Sequence, residues 1–74
     1  MEYVIVVHTA EEGGYWAEFP ALPGCCTQGE TVEEVLERAP DAVGSHLDAL
    51  RDDGQAIPAD DRIIITTVHL PAAV

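Results

Sequence analysis

The chain opens on a run of apolar positions from Tyr3 to Thr9, rich in Val and Ile and without helical spacing, which predicts a first β-strand. Glu11-Glu12-Gly13-Gly14 supplies a flexible turn, and Tyr15 to Phe19 predicts a second strand. Pro20 and Pro23 flank Leu22 and cannot donate ladder hydrogen bonds, so Pro20 to Gly24 is expected as a rigid bend. Cys25 to Gly29 resumes as a short third strand. From Val32 the period changes: Val32, Val35, Leu36, Ala39, Val43, Leu47 and Leu50 recur at helical steps, with Glu33, Glu37, Arg38, Asp41, Asp48 and Asp52 on the opposite face. Thr31 and Glu34 stand at capping-box spacing, the threonine oxygen accepting from the Glu34 N–H and the glutamate reaching back to the N–H of Thr31. Pro40 inside the stripe predicts a kink, eased by Gly44, and Gly54 with Pro58 just beyond predicts the helix stop. Arg62 to Leu70, centred on Ile63-Ile64-Ile65-Thr66-Thr67-Val68, predicts a fourth strand.

This order describes a single α+β domain over residues 1–74, β-β-β-α-β. A right-handed crossover through the helix makes strands three and four parallel, and a meander ahead of it gives a four-stranded mixed sheet in the order 3-2-1-4 with one helix on one face. Strand one is apolar on both sides, and strand four repeats this. Strands of that kind are ordinarily covered on both faces, yet there is only one helix to do it. The face without a helix is therefore expected to pack in a homodimer, through Val4, Val6, Ile64 and Val68. The competing reading has Trp16 and long side chains shielding that face in a monomer, and an exposed edge on strand three or four offers a third route, sheet extension between chains.

Charge narrows the range of partners. The 74 residues hold 14 Asp and Glu against three Arg and no Lys, for a formal net charge of −11. A surface of this kind repels phosphate backbones and attracts basic macromolecules. Arg38, Arg51 and Arg62 are too few and too scattered to form the stripe that phosphate neutralisation requires, so direct binding of nucleic acid is not expected. A domain this short also buries only about 60% of its unfolded surface, which again favours a partner chain. The N-terminus lacks the basic region and cleavage site of a signal peptide, and no apolar run approaches the roughly 18 residues of a membrane span, so the expected location is the cytoplasm. Cys25 and Cys26 are adjacent and point to opposite sides of a strand, which disfavours a disulfide between them, and with no second pair there is no zinc site.

Candidate chemistry is sparse. No Ser-His-Asp order, glycine-rich phosphate loop or converging pair of acids is present, so no catalytic residue, metal ligand or cofactor is expected. His8 and His69 close strands one and four and would lie at one end of the sheet if those strands were parallel neighbours. Two strand-end histidines without a third ligand are more simply polar ends. His46 sits beside the apolar stripe and caps its edge. Trp16, next to the turn, is the aromatic candidate for a partner contact, with core packing as the alternative.

The run from Gly14 to Leu36 reads G-Y-x-A-x-x-P-x-L-P-G-C-x-x-x-G-x-T-x-E-E-x-L, and Asp53 to Pro58 adds D-G-x-x-I-P. Together these resemble the N-terminal domain of HicB-type antitoxins and their stand-alone relatives, from Tyr3 to about Val68. The resemblance implies a reduced ribonuclease-H-like fold and a domain that binds and blocks HicA, a small basic toxin whose fold is similar to a double-stranded-RNA-binding domain and which cleaves messenger RNA. Under that reading Glu33, Glu37, Asp41 and Asp48 on the outer helix face, with Trp16, are the expected toxin contacts. The alternative is a stand-alone homo-oligomeric binding or scaffold module without catalytic activity. A ribonuclease-H-type nuclease would need carboxylates converging on two metal ions, and Val4 to Val7 stand where the first should be; strand alternation and capping account for Glu2, Glu18 and Glu34. The sequence ends at Leu70-Pro71-Ala72-Ala73-Val74, so the DNA-binding module of many family members, and autoregulation through it, is not expected. Pro40 interrupts a helix that is smooth in typical members.

Overall fold

Gly13 and Gly14 adopt φ values of 100° and 77°, a region side chains rarely occupy, and they turn the chain back after strand β1, Val6–Thr9, into β2, Tyr15–Glu18. A Cβ on Gly14 would lie 2.9 Å from the Gly29 carbonyl oxygen, so this position has no room for any other residue. The loop is closed by the Ala10 N–H donating to the Gly14 carbonyl at 3.0 Å. A computed structural model describes residues 2–60 and 63–72 of the chain, and within them β3, Cys26–Gly29, pairs antiparallel with β2. Helix α1, Val32–Asp52, follows directly.

The helix starts where its cap dictates. Thr31 Oγ1 accepts from the Glu34 N–H at 3.1 Å, as the spacing predicts, but the Glu34 carboxylate accepts from the N–H of Glu30 at 3.1 Å rather than that of Thr31. The reciprocal contact thus reaches one residue further into the β3–α1 junction. The element continues as one α-helix through Pro40, and Asp53 and Gly54 close it by donating to the carbonyls of Ala49 and Arg51.

The core lies between α1 and the near face of the sheet. Ala17, Phe19, Leu22, Cys25, Val35 and Leu47 are buried, with Leu22 and Val35 fully enclosed. Leu22 and Cys25 come from the proline-flanked bend, where the Leu22 N–H donates to the Phe19 carbonyl at 2.8 Å and the Cys25 N–H to the Leu22 carbonyl at 3.0 Å. The bend is therefore a plug as well as a corner. Val32 and Leu36, assigned to the buried stripe by spacing, are 37% and 50% exposed, and the packed face of α1 runs instead through Val35, Ala39, Ala42, Val43, Leu47 and Leu50.

One expectation is overturned. The predicted four-stranded mixed sheet in the order 3-2-1-4 is a three-stranded antiparallel sheet in the order β1-β2-β3, and the described part of the predicted fourth strand joins no sheet. Arg62, its first residue, lies outside the described residues. β1 is also shorter than Tyr3–Thr9, because continuing its register would set Val4 opposite Pro20, which has no N–H to give. The linker from α1 is held across that N-terminal stretch: the Tyr3 hydroxyl donates to the Pro58 carbonyl at 2.6 Å, and the Val4 N–H donates to the Asp60 carboxylate. Residues 63–70 then carry their apolar side chains uncovered, with Ile64 87% and Val68 82% exposed.

Cys25 and Cys26 are both free thiols, one buried and one exposed. Cys25 donates to the Ala42 carbonyl at 3.6 Å, and burial, reinforced by neighbouring Cys26, pushes its thiol above the ordinary range. Thiolate is the reactive form, so iodoacetamide at mildly alkaline pH should modify Cys26 at least about tenfold faster than Cys25 in the folded protein, with the difference lost in denaturant. Peptide mass spectrometry over time reads both rates. Equal native rates would contradict this placement of Cys25.

Candidate functional site

Two surfaces carry the residues singled out by sequence, and they lie on opposite sides of the domain. The first is the outer face of α1. Glu33, Glu37 and Asp41 follow one another at four-residue steps and Asp48 continues the line, all four exposed. At about 1.5 Å rise per residue the row spans roughly 22 Å of helix. Arg38, the first cation along the helix, is drawn aside, with its guanidinium 3.1 Å from Glu34 and 3.0 Å from the Gln28 carbonyl. Arg51 lies 3.2 Å from Asp48. Among the described residues no cation pairs with Glu33, Glu37 or Asp41. The result is a solvated anionic ridge whose charge is only partly offset at its C-terminal end.

The second surface is the sheet face turned away from α1. Strand alternation buries Ala17 beneath the helix and so directs Trp16 and Glu18 outward, in register with His8, Val6, Gln28 and Cys26. The indole of Trp16 stacks on the His8 imidazole, with centroids 4.2 Å apart and planes at 17°. The other side of His8 is held by Glu18, whose carboxylate lies 2.6 Å from Nε2. Trp16 is 39% exposed, so it belongs to the outer sheet face and not to the core. The His8–Trp16–Glu18 group was not anticipated from the sequence. Its signal was the loop length: once Thr9 stands opposite Tyr15, His8 must face Trp16.

The remaining candidates are scattered. Val4 and Val6 are half-buried on the N-terminal stretch, whereas Ile64 and Val68 are exposed in the C-terminal tail, so the four do not share a sheet face within one chain. His8 sits in the sheet against Trp16, while His69 is exposed in the tail. Among the described residues no group of three or more His, Cys, Asp or Glu is placed to hold a metal ion, and no helix is long and apolar enough to cross a membrane. What this molecule presents is charge and apolar surface, the means of binding a macromolecule.

Comparison with known proteins is consistent with that reading. Residues 3–70 match the family described as the HicB_like antitoxin of bacterial toxin-antitoxin system. A UPF0150 protein of Thermoplasma acidophilum is 38% identical over 69 residues, covering 93% of this chain and 99% of that one. Antitoxin HicB 1 of Photorhabdus laumondii is 36% identical over 74 residues, all of this chain but 48% of that protein. Antitoxin HicB of Escherichia coli K12 is 41% identical over 58 residues, 78% of this chain and 42% of that one. The chain thus spans about half or less of these two proteins named as antitoxins and the whole length of the UPF0150 relative.

Proposed function

The chain belongs to the HicB-like antitoxins of bacterial toxin–antitoxin systems, as the match over residues 3–70 shows, and on that basis we propose that it neutralises a small basic HicA-type toxin that cleaves messenger RNA, by covering the surface with which the toxin holds its substrate. The observation that carries this is the anionic ridge of Glu33, Glu37, Asp41 and Asp48 on a chain of net charge −11. A protein that binds RNA must present cations to phosphates. A row of carboxylates competes for those same cations, and complementary charge also speeds encounter. In this reading the chain performs no catalysis, binds no nucleic acid directly, works in the cytoplasm and associates with itself as a homodimer or tetramer.

The test is light scattering and calorimetry of the purified chain with the product of a small basic gene encoded beside its own. A mixed complex is expected whose affinity falls at least about tenfold between roughly 50 and 500 mM salt, as screening shortens the reach of the ridge. If no basic protein binds and only a salt-independent homo-oligomer forms, the inhibitor reading fails and the scaffold module takes its place.

A further inference from the structure

Backbone hydrogen bonds fix which groups of β3 face outward. The Ala10 N–H donates to the Gly14 carbonyl, so these two residues turn their backbone groups toward each other, and ladder alternation carries this to His8–Trp16 and Val6–Glu18. The groups of Tyr15 and Ala17 then point the other way, to Gly29 and Thr27 of β3. That leaves the N–H and C=O of Cys26 and Gln28 on the outer edge of β3, which pairs with no strand but β2 among the described residues. Such an edge is a template for a strand from another chain. Charged side chains and prolines are the usual protection, and Cys26-Thr27-Gln28-Gly29 contains neither.

A side chain from the helix supplies what the strand lacks. Arg38, in the second turn of α1, donates from Nη1 to the Gln28 carbonyl at 3.0 Å, while its Nη2 lies 3.1 Å from the Glu34 carboxylate. Glu34 is held in turn by accepting from the Glu30 N–H at 3.1 Å. We infer that Arg38 is a guard on the β3 edge: its guanidinium stands where an added strand would bring an N–H to the Gln28 carbonyl, and so closes this edge to other chains. Arginine suits the task because its planar fork meets a carboxylate and a carbonyl together, whereas a lysine ammonium is a single point of charge. Gly29 allows the helix to come close enough, since a Cβ there would lie 3.1 Å from the Glu34 side chain and from the Val35 nitrogen. Closing β3 removes it from the surfaces through which the chain can associate with itself, whether or not a toxin is bound.

Cys26 reports on the edge, because its thiol is exposed on β3 while that of Cys25 is buried. Arg38→Met removes the fork but keeps an aliphatic side chain that favours helix. Arg51→Met makes the same change of charge in the last turn of α1, where Arg51 pairs with Asp48, and serves as the control. The chains are treated with a short bismaleimide in about 0.5 M salt, which screens the repulsion between molecules of net charge −11, and cross-linked dimer is followed by mass spectrometry. With helix retained by circular dichroism, Arg38→Met should cross-link through Cys26 at least about tenfold faster than the unaltered chain and Arg51→Met, as an opened edge pairs with its own copy. Arg38→Lys keeps the charge and the pairing with Glu34 but not the fork, and should follow Arg38→Met. Equal rates in the unaltered chain and Arg38→Met overturn the guard, and so does lysine that protects as well as arginine. A rise in Arg51→Met as large as that in Arg38→Met traces the effect to net charge and overturns it too.

Discussion

Leu22→Ala should lower the stability of the fold more than any substitution on its surface. Leu22 has no exposed surface and packs with Phe19, Cys25 and Leu47, where the proline-flanked bend meets the second half of α1. Truncating an enclosed Leu removes its transfer energy and leaves a cavity, a loss of about 3 kcal/mol. A 74-residue domain has in total about 4 to 11 kcal/mol to lose, so the change consumes about a quarter to three quarters of its stability. With a urea m-value of about 1 kcal/mol/M, the midpoint followed by circular dichroism should fall by roughly 2 to 3 M. Val32→Ala is the comparison, since Val32 is 37% exposed at the start of α1 and alanine is the better helix former; there the shift should stay below about 1 kcal/mol. Similar shifts for the two variants would show that the bend is not the centre of the core.

That core explains which parts of the fold could be read beforehand. The hairpin, the bend, the capped helix and its stop were legible because each rests on local chemistry: glycines at positive φ, prolines without N–H groups, a threonine three residues before a glutamate. The buried role of Leu22 was less so, since a proline-rich stretch reads as a corner and nothing local says that its side chain turns inward. The fourth strand failed for a different reason. Ile63 to Val68 declare that they need covering, but hydrophobic pattern does not name the cover, and a strand exists only with a ladder partner. Within its own chain the linker that precedes it is held against the N-terminal stretch by the Tyr3–Pro58 and Val4–Asp60 contacts. Those link residues 55 and 56 positions apart, and no periodicity reports them. The same limit governs the candidate site. Alternation showed that Trp16 stands on one face of a strand but not which face α1 would cover, so Trp16 and the acidic ridge were grouped as one contact although the domain lies between them.

Neutralising the ridge should weaken a toxin complex far more than removing the same amount of charge elsewhere. Glu33→Gln, Glu37→Gln, Asp41→Asn and Asp48→Asn together move the formal charge from −11 to −7, and so does a control set at Glu2, Glu11, Glu12 and Asp53, all exposed and off the ridge. If recognition is by the ridge, its variant should bind about tenfold to a hundredfold more weakly at low salt, mainly through slower association, while the control loses only the few-fold owed to net charge. The fold should survive, because among the described residues only Asp48 of the four has an ion-pair partner, Arg51, and exposed pairs of that kind contribute about 0 to 1 kcal/mol. Raising the salt should bring the three proteins together, since screening removes the difference between a row of charges and the same charges dispersed. Equal weakening of both variants at low salt would mean that total charge, not a surface, attracts the partner. No weakening of either would place recognition on uncharged surface, and the outer sheet face with its stacked His8 and Trp16 would then be the one to mutate.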